Sequence, residues 1–593
     1  MSRILLTTIN AKWIHPSLAL RLLKANLGTL EKSCEIIEFN LRQSLAEKTQ
    51  PLLDISPQIL GISVSIWNHL ATIELLKEME KIWVTKPVIV LGGPEVSHLP
   101  PDAEIFKYAD YIIRGEGETS FRLLCESIFR EDILLSEKSP RQICEDILSS
   151  ENIIYGARGK IPAGDTEKNS PPPFCEDILN NEKNTLWAEA ENHSGGLWVR
   201  CNTATPRTEG SKRASFNATQ PAPSGVFRIR PQSNIYINQN ILADIKPGYH
   251  LYTNEDLEKK LIYVESSRGC PFSCDFCLSA VKAGNNDQVT ENKEQVTENR
   301  EQRTGNKEKC AAVREFPLEP FFAQMDDLIN RGVKTFKFLD RTFNTNIPRA
   351  IKICNFFLDK LEDRMNKMQK SFVVHFEMVP SIFPQELRDV LSRFPPGSLR
   401  LEIGIQTLNP EVAARINLPG RQNRISDTIN EQILDNLRFL RENTNAIIHA
   451  DLIAGLPGED LASFGRGFDR LWQALYDTNK PNLNSNAEIQ VGILKLLPGA
   501  PIARHNKEFD MVFNLVAPYE ILENSSICAS NMDRIKNFAR FWELIINRGL
   551  WKFHGSSPVF DQFINLSDLL FIHFGRNWGI DKFTLFEKMK TSF

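Results

Sequence analysis

Residues 263–280 read YVESSRGCPFSCDFCLSA, and three of the chain's 11 cysteines fall within eight of those positions: Cys270, Cys274 and Cys277. The apolar run LIYVESS leads straight into them, which places the cysteines on a loop that leaves a strand. Five more short apolar runs follow: KTFKFLD, SFVVHFE, SLRLEIGIQ, AIIHADLIAGLP and EIQVGILKLLP. Stretches with helical spacing, such as PLEPFFAQMDDLINRG and ISDTINEQILDNLRFLREN, fill the gaps. Six βα units in a row predict a parallel sheet partly closed into a barrel, with function at the carboxyl ends of its strands.

Several chemistries compete for a C-x3-C-x2-C loop. A structural zinc site needs four closed ligands, usually two C-x2-C pairs or added histidines. Here there is one such pair and no histidine between Tyr263 and Phe372; Cys310 and Cys354 lie across a polar insert or on a helix. A ferredoxin-type carrier also needs four cysteines. So few cysteines in a chain without a secretory leader speak against a disulfide. What is left is a four-iron–four-sulfur cluster on three thiolates, with one iron open to a ligand that is not protein.

These residues resemble the radical S-adenosylmethionine (SAM) enzymes, whose hallmark is this spacing after the first barrel strand, often with an aromatic before the last cysteine, as Phe276 is here. The resemblance implies a [4Fe-4S] cluster, SAM chelated at the open iron, and a 5′-deoxyadenosyl radical released when an electron arrives from a flavodoxin or ferredoxin. It also implies that the later strand ends hold SAM. Asp340, beside Arg341 and Asn344, stands where the family often has G-G-E, although the glycines are missing. Glu377 ends strand three. Gln406 in LEIGIQTLNP resembles I-G-x-Q-S and would bond ribose hydroxyls. Asp451 and Gly455 in HADLIAGLPGED resemble D-x-I-x-G-x-P-G-E, with backbone close to methionine or adenosine at the glycine. LKLLPGAP closes strand six, on the adenine side. Such residues also serve as helix N-caps and turns, but here they recur in register. Glu402 points into the barrel and needs a partner, Arg400 or a ligand.

The first 130 residues alternate strands (RILLTTI, CEIIEF, ILGISVSI, PVIVLGG, DYIIRGEGE) with amphipathic helices (PSLALRLLKANLGTLE, NHLATIELLKEMEKIW), the pattern of a doubly wound parallel sheet. A Rossmann-like (flavodoxin-like) domain ahead of such a barrel resembles the cobalamin-binding class of radical SAM enzymes, and in particular bacterial proteins that add a carboxyl-terminal DUF4080-like domain. Ser63, Ser65, Gly92, Gly93 and Glu116 would then contact cobalamin. The class's D-x-H-x-x-G is absent. His15, in TTINAKWIHPS, reads equally as a cobalt ligand or as a histidine at a helix start beside Pro16.

The expected layout is thus α/β: residues 1–130 a cobalamin-type Rossmann-like domain, 131–245 a low-complexity insert in which CEDIL occurs twice, and 246–517 a partial (βα)6 TIM-like barrel with a heptad-repeating polar insert at 285–310. Residues 518–593 form a helical, aromatic-rich tail without a readable motif. Over 593 residues, 42% hydrophobic and 24% charged, with net charge −4, nothing indicates nucleic acid or a membrane as partner, and no signal peptide or long apolar span is evident. The expected setting is the cytoplasm. The leading reaction is methyl transfer to an unactivated carbon of an unspecified small or macromolecular substrate, then ring rearrangement or cyclisation. A non-catalytic iron–sulfur or zinc scaffold is the alternative.

Overall fold

A computed structural model describes residues 3–134, 197–202, 224–229, 239–280, 313–421, 425–476, 487–550 and 558–592. The first sheet has strands β1 (Ile4–Asn10), β2 (Cys34–Asn40), β3 (Ile59–Ser63), β4 (Val88–Gly92), β5 (Tyr111–Ile113), β6 (Leu197–Asn202) and β7 (Ser224–Ile229), in the order β2-β1-β3-β4-β5-β6-β7. The first five are parallel. All seven residues of β1 are buried, as a central strand covered by helices on both faces requires. The order reverses between β1 and β3, which is where a doubly wound sheet opens its binding crevice.

Strands β6 and β7 add antiparallel to this sheet. They come from the span read as a low-complexity insert, whose weak periodicity gave no sign of them. Of the rest of that span, 131–134 and 239–245 are described; both CEDIL copies lie outside the described residues, as does the polar insert at 285–310.

The second sheet begins with β8 (Ile262–Val264). A short antiparallel pair follows, β9 (Ser267–Arg268) with β10 (Arg314–Glu315). Then come β11 (Thr335–Phe338), β12 (Val373–Met378), β13 (Leu399–Gln406), β14 (Ile447–Ala454) and β15 (Ala487–Ile493). The six main strands are parallel and lie in chain order, β8-β11-β12-β13-β14-β15, the open barrel expected from the sequence. Period-two patterning splits their faces: Leu399, Leu401, Ile403 and Ile405 of β13 are buried toward the helices, whereas Arg400, Glu402, Gly404 and Gln406 face the lumen.

The tail does not begin as a helix. Strand β16 (Val512–Phe513) pairs with β17 (Ile521–Glu523), and Ile521 donates its N–H to Leu494 O just past β15. The helices Ala529–Trp542 and Val559–Phe574 then pack on the barrel helix Leu461–Leu475. Rings of Phe468, Phe538, Trp542 and Phe563 meet mostly edge to face, with centroids 4.8–5.7 Å apart. A Cβ on Gly465 would stand 2.6 Å from Phe560 Cδ1, so glycine sets that helix contact. Barrel and tail share one continuous core.

The segment leading into the barrel is tied to the first domain. Arg21, itself buried, reaches the partly buried Glu38 at 3.3 Å and the buried Asp256 at 2.9 Å, and its guanidinium lies over Tyr252.

Candidate functional site

The cysteine loop is pinned on both flanks. Upstream, Asp340, at the end of β11, accepts from Ser266 N at 2.9 Å, Ser266 Oγ at 2.7 Å and Ser267 Oγ at 2.6 Å. Next to them Arg268 binds Glu265 (Nη2–Oε1 2.6 Å), Glu118 (2.7 Å) and Glu116 (3.0 Å), so two carboxylates of the first domain hold the root of the loop. Downstream, the buried Asp275 accepts from Asn417 Nδ2 at 2.9 Å, and it lies 2.8 Å from His505 Nε2 and 2.6 Å from Arg504. Its backbone N–H donates to Ile416 O, and its carbonyl accepts from Ile502 N.

Between these anchors Cys277 N donates to Cys274 O in a tight turn. Burial pushes the Cys274 thiol up to about 12, with Cys277 and Cys270 raising it further and Arg421 opposing. A buried thiol beside two others on the same loop is a donor whose thiolate a metal's charge would stabilise. No group of three or more His, Cys, Asp or Glu among the described residues is gathered for a single ion. Three thiols on one loop, without a fourth protein ligand beside them among the described residues, would suit a [4Fe-4S] cluster.

The barrel lumen is lined with ionisable groups from successive strands. Lys337 Nζ lies 2.7 Å from Glu402 Oε2, and His375 Nε2 approaches the same oxygen at 3.2 Å without the alignment of a full hydrogen bond. Lysine and histidine, rather than Arg400, are therefore the partners of Glu402. Burial works against its charge, but His375 and Lys337 bring its carboxyl down to about 2. The neighbouring carboxyls go the other way. Burial raises Glu377, with Arg341 opposing from 3.8 Å, and burial plus Glu402 and Glu377 holds Asp451 well above the usual range. His449 lies 3.1 Å from Glu488 and stacks on His375. Gln406 ends β13 at φ +67°, where the ladder to β14 slips by one residue. Its two neighbouring carbonyls, Ile405 O and Thr407 O, both accept from Arg421, at 3.0 and 2.7 Å.

Among the described residues, loops at the carboxyl end of the first sheet meet the barrel side after β1, β4 and β5. After β1, His15 Nδ1 lies 2.8 Å from Tyr263 OH of β8. After β4, Glu95 accepts from Tyr519 OH at 2.8 Å, and His98 lies against Gly499. After β5, Glu116 meets Arg268 and Arg314.

Ser63, Ser65, Gly92 and Gly93 come together at the ends of β3 and β4. Gly93 is required there: at φ +104° its Cβ would stand 2.6 Å from Val64 O. Glu116 is elsewhere, its carboxylate occupied by arginines of the barrel side. Asp340, buried and bonded to two serines, holds the cysteine loop. Gly455 makes its close approach to protein, since a Cβ would be 2.6 Å from Ile521 Cγ2 of the tail. His15 is tied to a tyrosine of the barrel.

Residues 264–470 match the Radical SAM superfamily model. The radical SAM match runs from the last residue of β8 into the helix Leu461–Leu475, spanning the cysteine loop and strands β11 to β14. No curated protein sequence matches the chain. Among solved structures, the radical SAM methyltransferase TsrM from Kitasatospora setae, with tryptophan substrate and a SAM analogue (aza-SAM) bound, aligns at TM-score 0.50 and 15% identity, covering 88% of this chain and 80% of that one. The cobalamin-dependent SAM radical enzyme OxsB, as apoprotein, aligns at TM-score 0.50 and 14% identity, covering 96% and 70%. At such identities the likeness is one of fold: a Rossmann-like sheet, a radical SAM barrel and a carboxyl-terminal region in the same order.

Asp275, Arg268, Lys337, His375 and Arg421, which surround the cysteine loop and the lumen, carried no signal in the sequence. All five act through partners distant along the chain or on neighbouring strands.

Proposed function

We propose that the chain is a radical SAM enzyme that also uses cobalamin. The observation that supports it best is the C-x3-C-x2-C loop at the carboxyl end of strand one of six parallel strands, anchored on both flanks through Asp340 and Asp275. Cys270, Cys274 and Cys277 would hold a [4Fe-4S] cluster, which supplies one-electron reductive cleavage of SAM to a 5′-deoxyadenosyl radical. Gln406, held at a fixed turn, presents its amide to the ribose. Asp451 and Glu377, both kept toward the neutral form, can donate as well as accept, and they suit the methionine end better than Asp340 does.

Cobalamin would sit where the carboxyl ends of the two sheets face each other, against Ser63, Ser65, Gly92 and Gly93. Tyr263 engages His15 at Nδ1, a contact as compatible with ligation through Nε2 as with binding without a histidine ligand. Methyl transfer to an unactivated carbon is the reaction we favour, with TsrM's description as a methyltransferase supporting it by fold analogy. Ring rearrangement or cyclisation is second. A flavodoxin or ferredoxin in the cytoplasm would deliver the electron, and the tail would be of the DUF4080 type. No helix among the described residues is long and apolar enough to cross a membrane.

Oxygen-free purification and reconstitution test this reading. The spectrum should show iron–sulfur and corrinoid bands together, and SAM with a reductant should give 5′-deoxyadenosine, which Cys274→Ala abolishes. One zinc per chain and no 5′-deoxyadenosine would establish the scaffold alternative instead.

A further inference from the structure

Arg421 is among the largest fully buried side chains of the described residues, at 1% exposure. Its Nη1 donates to Thr407 O and, at 3.2 Å, to Asn430 Oδ1; its Nη2 donates to Ile405 O; its Nε is buried without a partner. Every acceptor is neutral. The buried Arg21 and the partly buried Arg268 are each met by two or three carboxylates, but none pairs with Arg421 among the described residues. A buried cation without an anion is costly, and burial accordingly draws its pKa down to about 10. The charge that works against this is Cys274. The backbone agrees, because the segment leading to Arg421 lies on the cysteine loop through Ile416 O and Asn417, both bonded to Asp275.

We propose that Arg421 is the counter-cation of the cluster held by Cys270, Cys274 and Cys277, a positioning residue that raises the cluster's reduction potential while fixing the turn at Gln406. The inference rests on the cluster reading of the cysteine loop. A four-iron cluster with three thiolates is an anion and gains a further negative charge when a flavodoxin- or ferredoxin-type donor reduces it. A fixed cation in a water-poor site therefore stabilises the reduced form more than the oxidised one. The same guanidinium grips both carbonyls beside Gln406, so the charge and the turn are set by one group.

The test uses full-length protein, reconstituted without oxygen, as wild type, Arg421→Lys, Arg421→Gln and Arg421→Met. Fold is checked by circular dichroism and loading by iron and sulfide content. The midpoint potential is read by electron paramagnetic resonance during a redox titration without SAM. The two neutral variants should titrate at more negative potential, and Arg421→Lys close to wild type. Failure of the neutral variants to retain a cluster that Arg421→Lys retains would equally support a charge requirement. Neutral variants at the wild-type potential would overturn the proposal, as would a lysine variant that shifts or loses its cluster as they do. A wild type that takes up no four-iron cluster would overturn it too, and iron analysis would assign that failure to the cluster reading itself.

Discussion

Asp275 Oδ2 lies 2.8 Å from His505 Nε2, joining positions 230 residues apart, and this contact holds the middle of the cysteine loop to the segment that follows the last barrel strand. Asp275 is 1% exposed, so removing it leaves Asn417, His505 and Arg504 without their common acceptor. Asp275→Ala should destabilise the apoprotein by about 3 kcal/mol in denaturant titrations and lower the iron bound after reconstitution. Arg504→Ala, at the exposed side of the same carboxylate, should cost less than about 1 kcal/mol.

Arg268 ties the root of the loop to the first domain. Arg268→Leu strands Glu265 and Glu118, both buried, and should destabilise the protein by about 3–5 kcal/mol. Limited proteolysis should then separate the first domain from the barrel more readily, whereas Glu116→Gln, at a half-exposed carboxylate, should have little effect on either measurement.

Gly455→Ala should be poorly tolerated for two reasons: φ is +88°, and the new Cβ would meet Ile521 Cγ2 at 2.6 Å. A loss of about 2 kcal/mol is expected. Adding Ile521→Ala should recover only the steric part of it. A full recovery would show that the backbone conformation is unstrained for alanine.

Glu459 gives a pH prediction. One of its oxygens accepts from Thr407 Oγ1 at 2.6 Å, the other is buried without a partner, and burial pushes its carboxyl from 4.5 up to about 7. A folded-state pKa above the unfolded one means that the neutral form is favoured. Its stabilising contribution is therefore fully present below pH 4.5 and is lost as pH rises through about 7. Glu459→Gln should gain stability relative to wild type between those limits, on the order of 3 kcal/mol at most. Denaturation midpoints compared at pH 5 and pH 8 measure it; equal wild-type-to-variant differences at both would disprove the shift.

How much of this was legible depended on how far apart the partners lie in the chain. Cys270, Cys274 and Cys277 stand within one loop, so spacing alone exposed them, and the alternation of β13 was plain from its own eight residues. Asp275 looks like any polar residue between cysteines until Asn417 and His505 arrive from later segments of the chain. Gly455 was read as making room for a ligand because a glycine-rich turn looks the same whichever neighbour approaches it; that neighbour proved to be Ile521. Glu116 has a similar history, since nothing near it in sequence announces Arg268 or Arg314. Arg421 sits in NLPGRQNR, where no motif marks it, and only its burial beside neutral acceptors makes it unusual. Strands β6 and β7 escaped because a polar setting hid two short segments that complete a sheet edge.

The backbone bond from Ile521 to Leu494, together with Ile521 pressed onto Gly455, bears on how this protein can be cut and recombined. A fragment ending after β15 would expose aromatic side chains and leave a strand margin unprotected. The smallest portable piece is therefore the barrel with its tail attached, and chimeras that exchange catalytic modules between homologues should place their junction ahead of β8.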